Sequence, residues 1–266
     1  MTYKLKAIFF LAYLMMLAAC GETELPVAEA AVSSNATASI YSDALENPGR
    51  TEADRARDAG RKPAEVLEFF GITRGMDVLD MFSGGGYYTE MLSHIVGPEG
   101  SVIAHSNEVY AKFVGEEATN RYANGRLGNV RILMAENDSL ELPDGAFDAV
   151  MMVLAYHDIY YIDPENGWPE INGPGLVAEL FEALRPGGIL AVVDHSAAAG
   201  SSSETGNSLH RIDPQIVIDE LESAGFVLEA QSEILRNPED DHTQHMGTPE
   251  IRGKTDRFVM RFRKPD

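Results

Sequence analysis

The sequence predicts an α/β domain built on a mostly parallel sheet with helices on both faces, and three observations predict it. Short apolar runs recur without polar alternation at 78–81, 101–105, 130–135, 149–154 and 189–194, the pattern of strands covered on both faces. Segments with helical apolar spacing stand between several of them. The first run ends in Asp80 and passes through a glycine cluster, Gly84-Gly85-Gly86, straight into a helical segment. Such a turn lets a ligand approach the backbone, and the free N–H groups of the helix that follows favour an anionic group.

The elements follow in order along the chain. Lys4 and Lys6 precede an apolar stretch from Ala7 to Leu17 and then Ala18-Ala19-Cys20. This reads as a leader over 1–19, too short and wrongly flanked to span a bilayer. A tether rich in Ala, Ser and Glu follows, so the domain boundaries are 1–19 leader, 20–45 tether and 46–266 folded domain. Pro63, with Val66, Leu67 and Phe70 on one face and Gly71 after them, predicts a helix over 63–70. After the glycine cluster, Tyr88, Met91, Leu92, Ile95 and Val96 share a face, and Gly97 supplies the stop. A later helix carries Leu176, Val177, Leu180, Phe181 and Leu184 and is expected to stop at Pro186-Gly187-Gly188. Asp213-Pro214 opens another, a cap followed by a first-turn proline, and Gly225 closes it. The last two strands, about 227–234 and 258–263, have no crossover helix between them and read as an antiparallel pair.

Composition bounds the function. The chain has 266 residues and 44% hydrophobic content, enough for one sizeable core. Asp plus Glu number 42 against 21 Lys plus Arg, a net charge of -21 that repels nucleic acid backbones and disfavours a DNA or RNA phosphate-gripping role. The single cysteine excludes an internal disulfide, so the core alone must stabilise the fold.

In open sheets of this kind ligands bind beyond the carboxyl ends of the strands. The residues gathered there are Asp80 with the glycines, His105 to Glu108, Asp138, Tyr156 to Asp158, and Asp194-His195. A dinucleotide fingerprint would need a third glycine where Thr89 stands, which disfavours hydride transfer. Downstream lie Asp138-Ser-Leu-Glu-Leu-Pro143, Phe147-Asp-Ala-Val150 and Leu184-Arg-Pro-Gly-Gly188. In this order these segments resemble the signatures of the class I S-adenosylmethionine (SAM)-dependent methyltransferases, over roughly residues 50–264. More narrowly, Gly84-Gly-Gly-Tyr-Tyr-Thr-Glu90, Tyr156-His157-Asp158 and Arg252-Gly-Lys-Thr-Asp-Arg-Phe258 resemble a group of predicted methyltransferases of bacterial envelopes.

The resemblance implies a Rossmann-like fold of seven strands, the last one reversed, with SAM as cofactor. It places Asp80, Ser83, Gly84, Gly85 and Gly86 around the methionine part of SAM, with Phe82 standing where the family has its first glycine. Asn107 or Glu108 would reach the ribose, the aligned position being Ser106, and Asp138 would accept from the adenine amino group. Leu17-Ala18-Ala19-Cys20 likewise resembles a lipobox, which implies lipidation at Cys20 and an outer-membrane address facing the periplasm.

Methyl transfer from a sulfonium needs alignment, and a base when the nucleophile carries a proton. His157 and His195 are the candidate bases, with Asp158 and Asp194 as candidate orienting acids. The alternative for each histidine is a hydrogen-bonded structural ring. A metal site from His105, His157, Asp158 and His195 lacks any paired ligand motif at close helical spacing, so none is expected. The loop from Ile159 to Pro174, with Tyr160, Tyr161 and Trp168, is a candidate lid or packed connection, and the segment 237–254 is a second candidate cover. Arg236, Asp240, Asp241 and Arg252 there read equally as a loop-fixing ion network or as substrate contacts. The reading is thus a lipid-anchored SAM-dependent methyltransferase acting on a small-molecule acceptor. Because SAM is made in the cytosol, the alternative is a non-catalytic envelope module holding a nucleoside or other metabolite in the same fold, and Phe82 and Ser106 favour it.

Overall fold

The computed structural model describes residues 40–137 and 139–266. The leader, Cys20, the tether up to residue 39 and Asp138 lie outside the described residues. Seven strands form one sheet in the order β3-β2-β1-β4-β5-β7-β6. They are β1 (Asp77–Met81), β2 (Ser101–Ser106), β3 (Val130–Met134), β4 (Phe147–Val153), β5 (Leu184–His195), β6 (Val227–Ser232) and β7 (Arg257–Arg263). The first five are mutually parallel, and β7 runs antiparallel to both β5 and β6, as the missing crossover helix predicts.

Helices cover both faces: α1 (40–46), α2 (Glu52–Arg61), α3 (Pro63–Phe70), α4 (Tyr87–Val96), α5 (Glu108–Val114), α6 (Glu116–Tyr122), α7 (Gly173–Ala183), α8 (Glu204–Leu209) and α9 (Pro214–Ser223). Strand alternation sorts the core into two layers. Leu79, Met81, Val150, Met152, Leu190 and Val192 face Leu176 and Leu180 of α7 and Val217 and Leu221 of α9. Val78, Ala149, Met151, Ala191 and Val193 face α3 and the Met91, Leu92, Ile95 and Val96 stripe of α4. Each fully buried side chain of this size contributes about 1.5–3 kcal/mol, so these two layers set the sheet.

Three expectations change. The folded domain begins before residue 46: Tyr41 and Ala44 of α1 are buried in the second layer, and the Tyr41 hydroxyl donates to the Ile72 carbonyl at 2.9 Å. Leu184-Arg-Pro-Gly-Gly188 does not end a helix that includes Leu184. It belongs to β5, with a register shift against β4 between Phe147 and Ala149 that absorbs the extra residues. Finally, β3 is an edge strand whose Ile132 and Met134 are about half exposed, so it is not covered on both faces.

Candidate active site

β1 delivers the chain into a tight turn that needs left-handed backbone. Phe82 (φ 54°), Gly84 (φ 55°) and Gly86 (φ 79°) all sit there, and Phe82 is the costly one because an L side chain resists that region. Ser83 anchors the turn to β2 by donating its N–H and its hydroxyl to the His105 carbonyl, at 2.9 and 3.0 Å. A Cβ on Gly84 would meet nothing within 4 Å, so this face of the turn is open to a ligand. One on Gly86 would strike the Tyr122 hydroxyl and lie 2.7 Å from Arg121 Cδ. Arg121 clamps the turn from behind: its buried guanidinium donates to the Gly85 carbonyl and pairs with Asp54 and Glu90.

A cavity of about 900 Å³ opens beyond this edge of the sheet. Its floor includes Asp80, Gly84 and Gly85 after β1, Leu154 after β4 and His195 at the end of β5. Leu154 is another non-glycine residue with positive φ, 58°, so backbone strain collects at two strand ends beside one cavity. Asp80 is buried, with the Thr89 hydroxyl donating to it at 2.5 Å, and burial raises its carboxyl to about 7 against the counter-pull of that bond. The lining is rich in basic side chains in an otherwise acidic protein. Arg61, Arg252, Lys254 and Arg257 line the cavity, and none of them pairs with a carboxylate among the described residues.

The two candidate bases fare differently. His195 lines the cavity, and its Nδ1 lies 2.6 Å from Thr255 Oγ1, which leaves Nε2 as the nitrogen available to a ligand. Burial holds this ring well below the usual histidine range, helped by the positive charges of His157 and Arg257. His157 is not on the cavity wall. Its Nδ1 is 2.7 Å from Asp194 Oδ1, its Nε2 is 3.2 Å from Asp158 Oδ1, and its N–H donates to Asp194 Oδ2 at 2.7 Å. Burial alone would lower it, but the carboxylates of Asp194 and then Asp158 outweigh burial and raise it to about 10. Both ring nitrogens face carboxylates and the ring is not among the cavity lining, so His157 is placed as a hydrogen-bonded structural ring and not against a ligand in that cavity. Asp194 orients His157 rather than His195, whose orienting partner is Thr255. Asp158 takes the Tyr110 hydroxyl and lies 3.4 Å from His210 Nδ1.

The ribose-side candidates also separate. Asn107 is buried, and its side-chain oxygen caps α5 by accepting the Tyr110 N–H at 2.8 Å, while its amide donates to Asn137 at 3.3 Å. Glu108 points to solvent with an 81% exposed side chain and faces Lys112 at 3.6 Å, so it does not join the cavity. Trp168 packs edge-on against Tyr110, 5.1 Å between centroids, and Tyr110 lines the cavity. The aromatic loop thus backs the wall and is not itself the lid. The later segment does cover the site: Met246, Arg252, Gly253 and Lys254 line it. Within that segment Asp240 and Arg236 fix the loop, by ion pairs to Arg211 (2.9 Å) and Asp256 (2.9 Å), whereas Arg252 faces the cavity.

Arg61, Tyr110, Arg121, Arg257 and His210 join the site only through the fold. Thr255 and Arg257 lie inside the quoted segment 252–258, where a signal stood, but Arg121 and His210 have no local pattern that marks them.

The turn fits SAM. Its open glycine face, the Asp80 carboxyl and the N-terminus of α4 surround a cavity large enough for a nucleoside cofactor and a small acceptor. The profile of the Protein-L-isoaspartate(D-aspartate) O-methyltransferase family matches residues 38–159. A ubiquinone/menaquinone biosynthesis C-methyltransferase, UbiE, of Erwinia tasmaniensis is 32% identical over 132 residues, 49% of this chain and 47% of that protein. The chain therefore spans about half the length of that curated relative. Among solved structures, a SAM-dependent methyltransferase from Aquifex aeolicus is 25% identical with a TM-score of 0.53, covering 76% of this chain and 89% of the other. The [4+2]-cyclase SpnF shares the fold at 18% identity and a TM-score of 0.53, over 83% of this chain and 86% of its own. Sheet order, turn geometry and these relatives together make this chain similar to the class I SAM-dependent methyltransferases, with SAM as its expected cofactor.

Proposed function

We propose that the protein transfers a methyl group from SAM to a small-molecule acceptor, and that it does so from a lipid anchor at Cys20 on the periplasmic side of the outer membrane. The observation that carries the transfer is that the open Gly84 face and His195 border one cavity. SAM supplies an electrophilic methyl on a sulfonium. The chain's own residues do the rest: the Gly84–Gly86 turn and Asp80 hold the cofactor, and His195 Nε2 takes a proton from the acceptor. Arg61 and Arg257, which pair with no carboxylate among the described residues, suit an anionic group on the acceptor or the cofactor's own carboxylate. His157, Asp194 and Asp158 support the wall behind Tyr110 without touching the reacting atoms.

The cyclase neighbour is a reminder that this fold alone does not decide a reaction. Phe82, placed in the turn with its ring 5.3 Å from that of Tyr110, favours the second reading, a module that holds a nucleoside without catalysis. Calorimetry of the full-length chain with SAM and S-adenosylhomocysteine separates the two. Binding of both, with Gly84→Val losing it, supports the methyltransferase reading. No heat and no thermal shift with either turns the argument to another nucleoside.

A further inference from the structure

We propose that His157, Asp158 and His210 form a binding site for a divalent first-row transition-metal ion, with zinc the ion that this donor set suits. The three side chains come from two segments far apart in sequence, and their donor atoms lie within 4.8 Å of one another. His157 Nε2 is 3.2 Å and His210 Nδ1 is 3.4 Å from the same oxygen, Asp158 Oδ1. Tetrahedral zinc with bonds of ~2.0–2.1 Å places neighbouring donors roughly 3.3 Å apart, so both separations match a shared ion. Two imidazoles and a carboxylate are ordinary zinc ligands, and three protein donors leave the fourth position for water or a substrate atom.

The surroundings are those of a built metal site. A ligating histidine is normally held by a carboxylate on its other nitrogen, and Asp194 holds His157 Nδ1 at 2.7 Å, fully buried. The ligating carboxylate is held in turn, since the Tyr110 hydroxyl donates to Asp158 Oδ2. His210 is fixed through its neighbour: Arg211, fully buried, donates to the Ser196 carbonyl at 2.9 Å, to the Gln244 carbonyl at 2.8 Å and to Asp240 at 2.9 and 3.1 Å. Close packing brings the two segments together, because a Cβ on Gly206 of α8 would lie 2.8 Å from both the His157 carbonyl and Tyr160 Cβ. His157 and Asp158 are buried and His210 is partly exposed, which leaves an entry path on the His210 side. The cluster stands behind the active-site wall, with the His157 and His195 rings 5.8 Å apart.

The test uses the full-length chain, purified without a polyhistidine tag and stripped of metal. Zinc is titrated against a chromophoric chelator, and cobalt(II) is titrated separately and read by its visible d–d bands. One equivalent per chain is expected, with cobalt bands of four-coordinate intensity. His210→Asn keeps a residue that tolerates the left-handed backbone there (φ 49°) and removes the imidazole. It should weaken zinc at least ~10-fold, and Asp194→Asn, which alters only the supporting shell, by roughly 10–100-fold. Thermal unfolding of the metal-free proteins checks that each variant is folded, and Asp158→Asn replaces His210→Asn if that variant is not. Failure of the parent to bind one equivalent, or equal affinity in the parent and a folded ligand variant, overturns the site and leaves a hydrogen-bonded cluster. None of these readouts depends on methyl transfer.

Discussion

Replacing Arg121 by methionine tests whether the glycine turn is held from behind by a buried charge network. The side chains of Arg121, Asp54 and Glu90 are 2%, 1% and 0% exposed, so removing the guanidinium strands two carboxylates in a dry environment. Breaking a buried ion pair in this way costs about 3–5 kcal/mol. Arg57 still reaches Asp54, and Arg126 still reaches Glu90, so the loss should lie near the lower end. In a domain of this size ~3 kcal/mol lowers Tm by roughly 6–12 °C. The pH dependence supplies a second signature. Burial works against ionisation of Asp54 and Glu90, but Arg121 with Arg57 at Asp54, and Arg126 with Arg121 at Glu90, outweigh it and hold both carboxyls below the usual range. Groups depressed in the folded state stabilise it above their unfolded values, and that contribution is lost as pH falls through the folded ones. The gap between parent and Arg121→Met should therefore be widest near neutrality and shrink on acidification. Urea unfolding followed by circular dichroism at about pH 7.5 and about pH 3, below the unfolded carboxyl values, measures it. A loss under ~1 kcal/mol, or a gap that widens in acid, would refute the reasoning. Because Arg121 also donates to the Gly85 carbonyl, affinity for S-adenosylhomocysteine should fall in the same variant.

Asp80→Asn should stabilise the cofactor-free protein in alkali. Asp80 is raised to about 7, so its folded-state contribution is present below its unfolded value and lost as pH rises through about 7. The variant's advantage should grow from about pH 4 to about pH 7 and then level off, while its SAM affinity drops; a Tm difference that does not change with pH would contradict this. His195→Ala should lower single-turnover rates by ~10²–10⁴ once an acceptor is found, with cofactor affinity nearly unchanged, whereas His157→Gln should act through stability and packing. Parental rates in His195→Ala would remove the base. Cys20→Ser should move the protein from the detergent to the aqueous phase and abolish the acyl mass on its N-terminal peptide; equal partitioning would remove the lipid anchor.

Much of the architecture is legible locally, because strands and helices are decided by periodicity and by terminal residues. Pro63, Gly97 and Asp213-Pro214 mark helix ends that the structure keeps within a residue or two, and the unalternating runs become β1, β2, β4 and β5. The glycine turn is legible for the same reason, since its backbone demands glycine wherever it folds. Sequence periodicity misjudges β3, whose apolar run looks doubly covered until the sheet order makes it an edge. It also misplaces the start of the domain, because only the packed core shows that Tyr41 has a partner at Ile72. The chemistry of the site depends on distance between residues remote in sequence, and no local pattern encodes that. His157 and His195 look equivalent in the chain, each beside an acid at a strand end. Tertiary packing gives His157 two carboxylates in a buried setting, and gives His195 a threonine sixty residues away and a cavity wall. His210 joins His157 and Asp158 only because α8 lies against the turn after β4, so the sequence determined which side chains were on offer and the packing decided which of them meet.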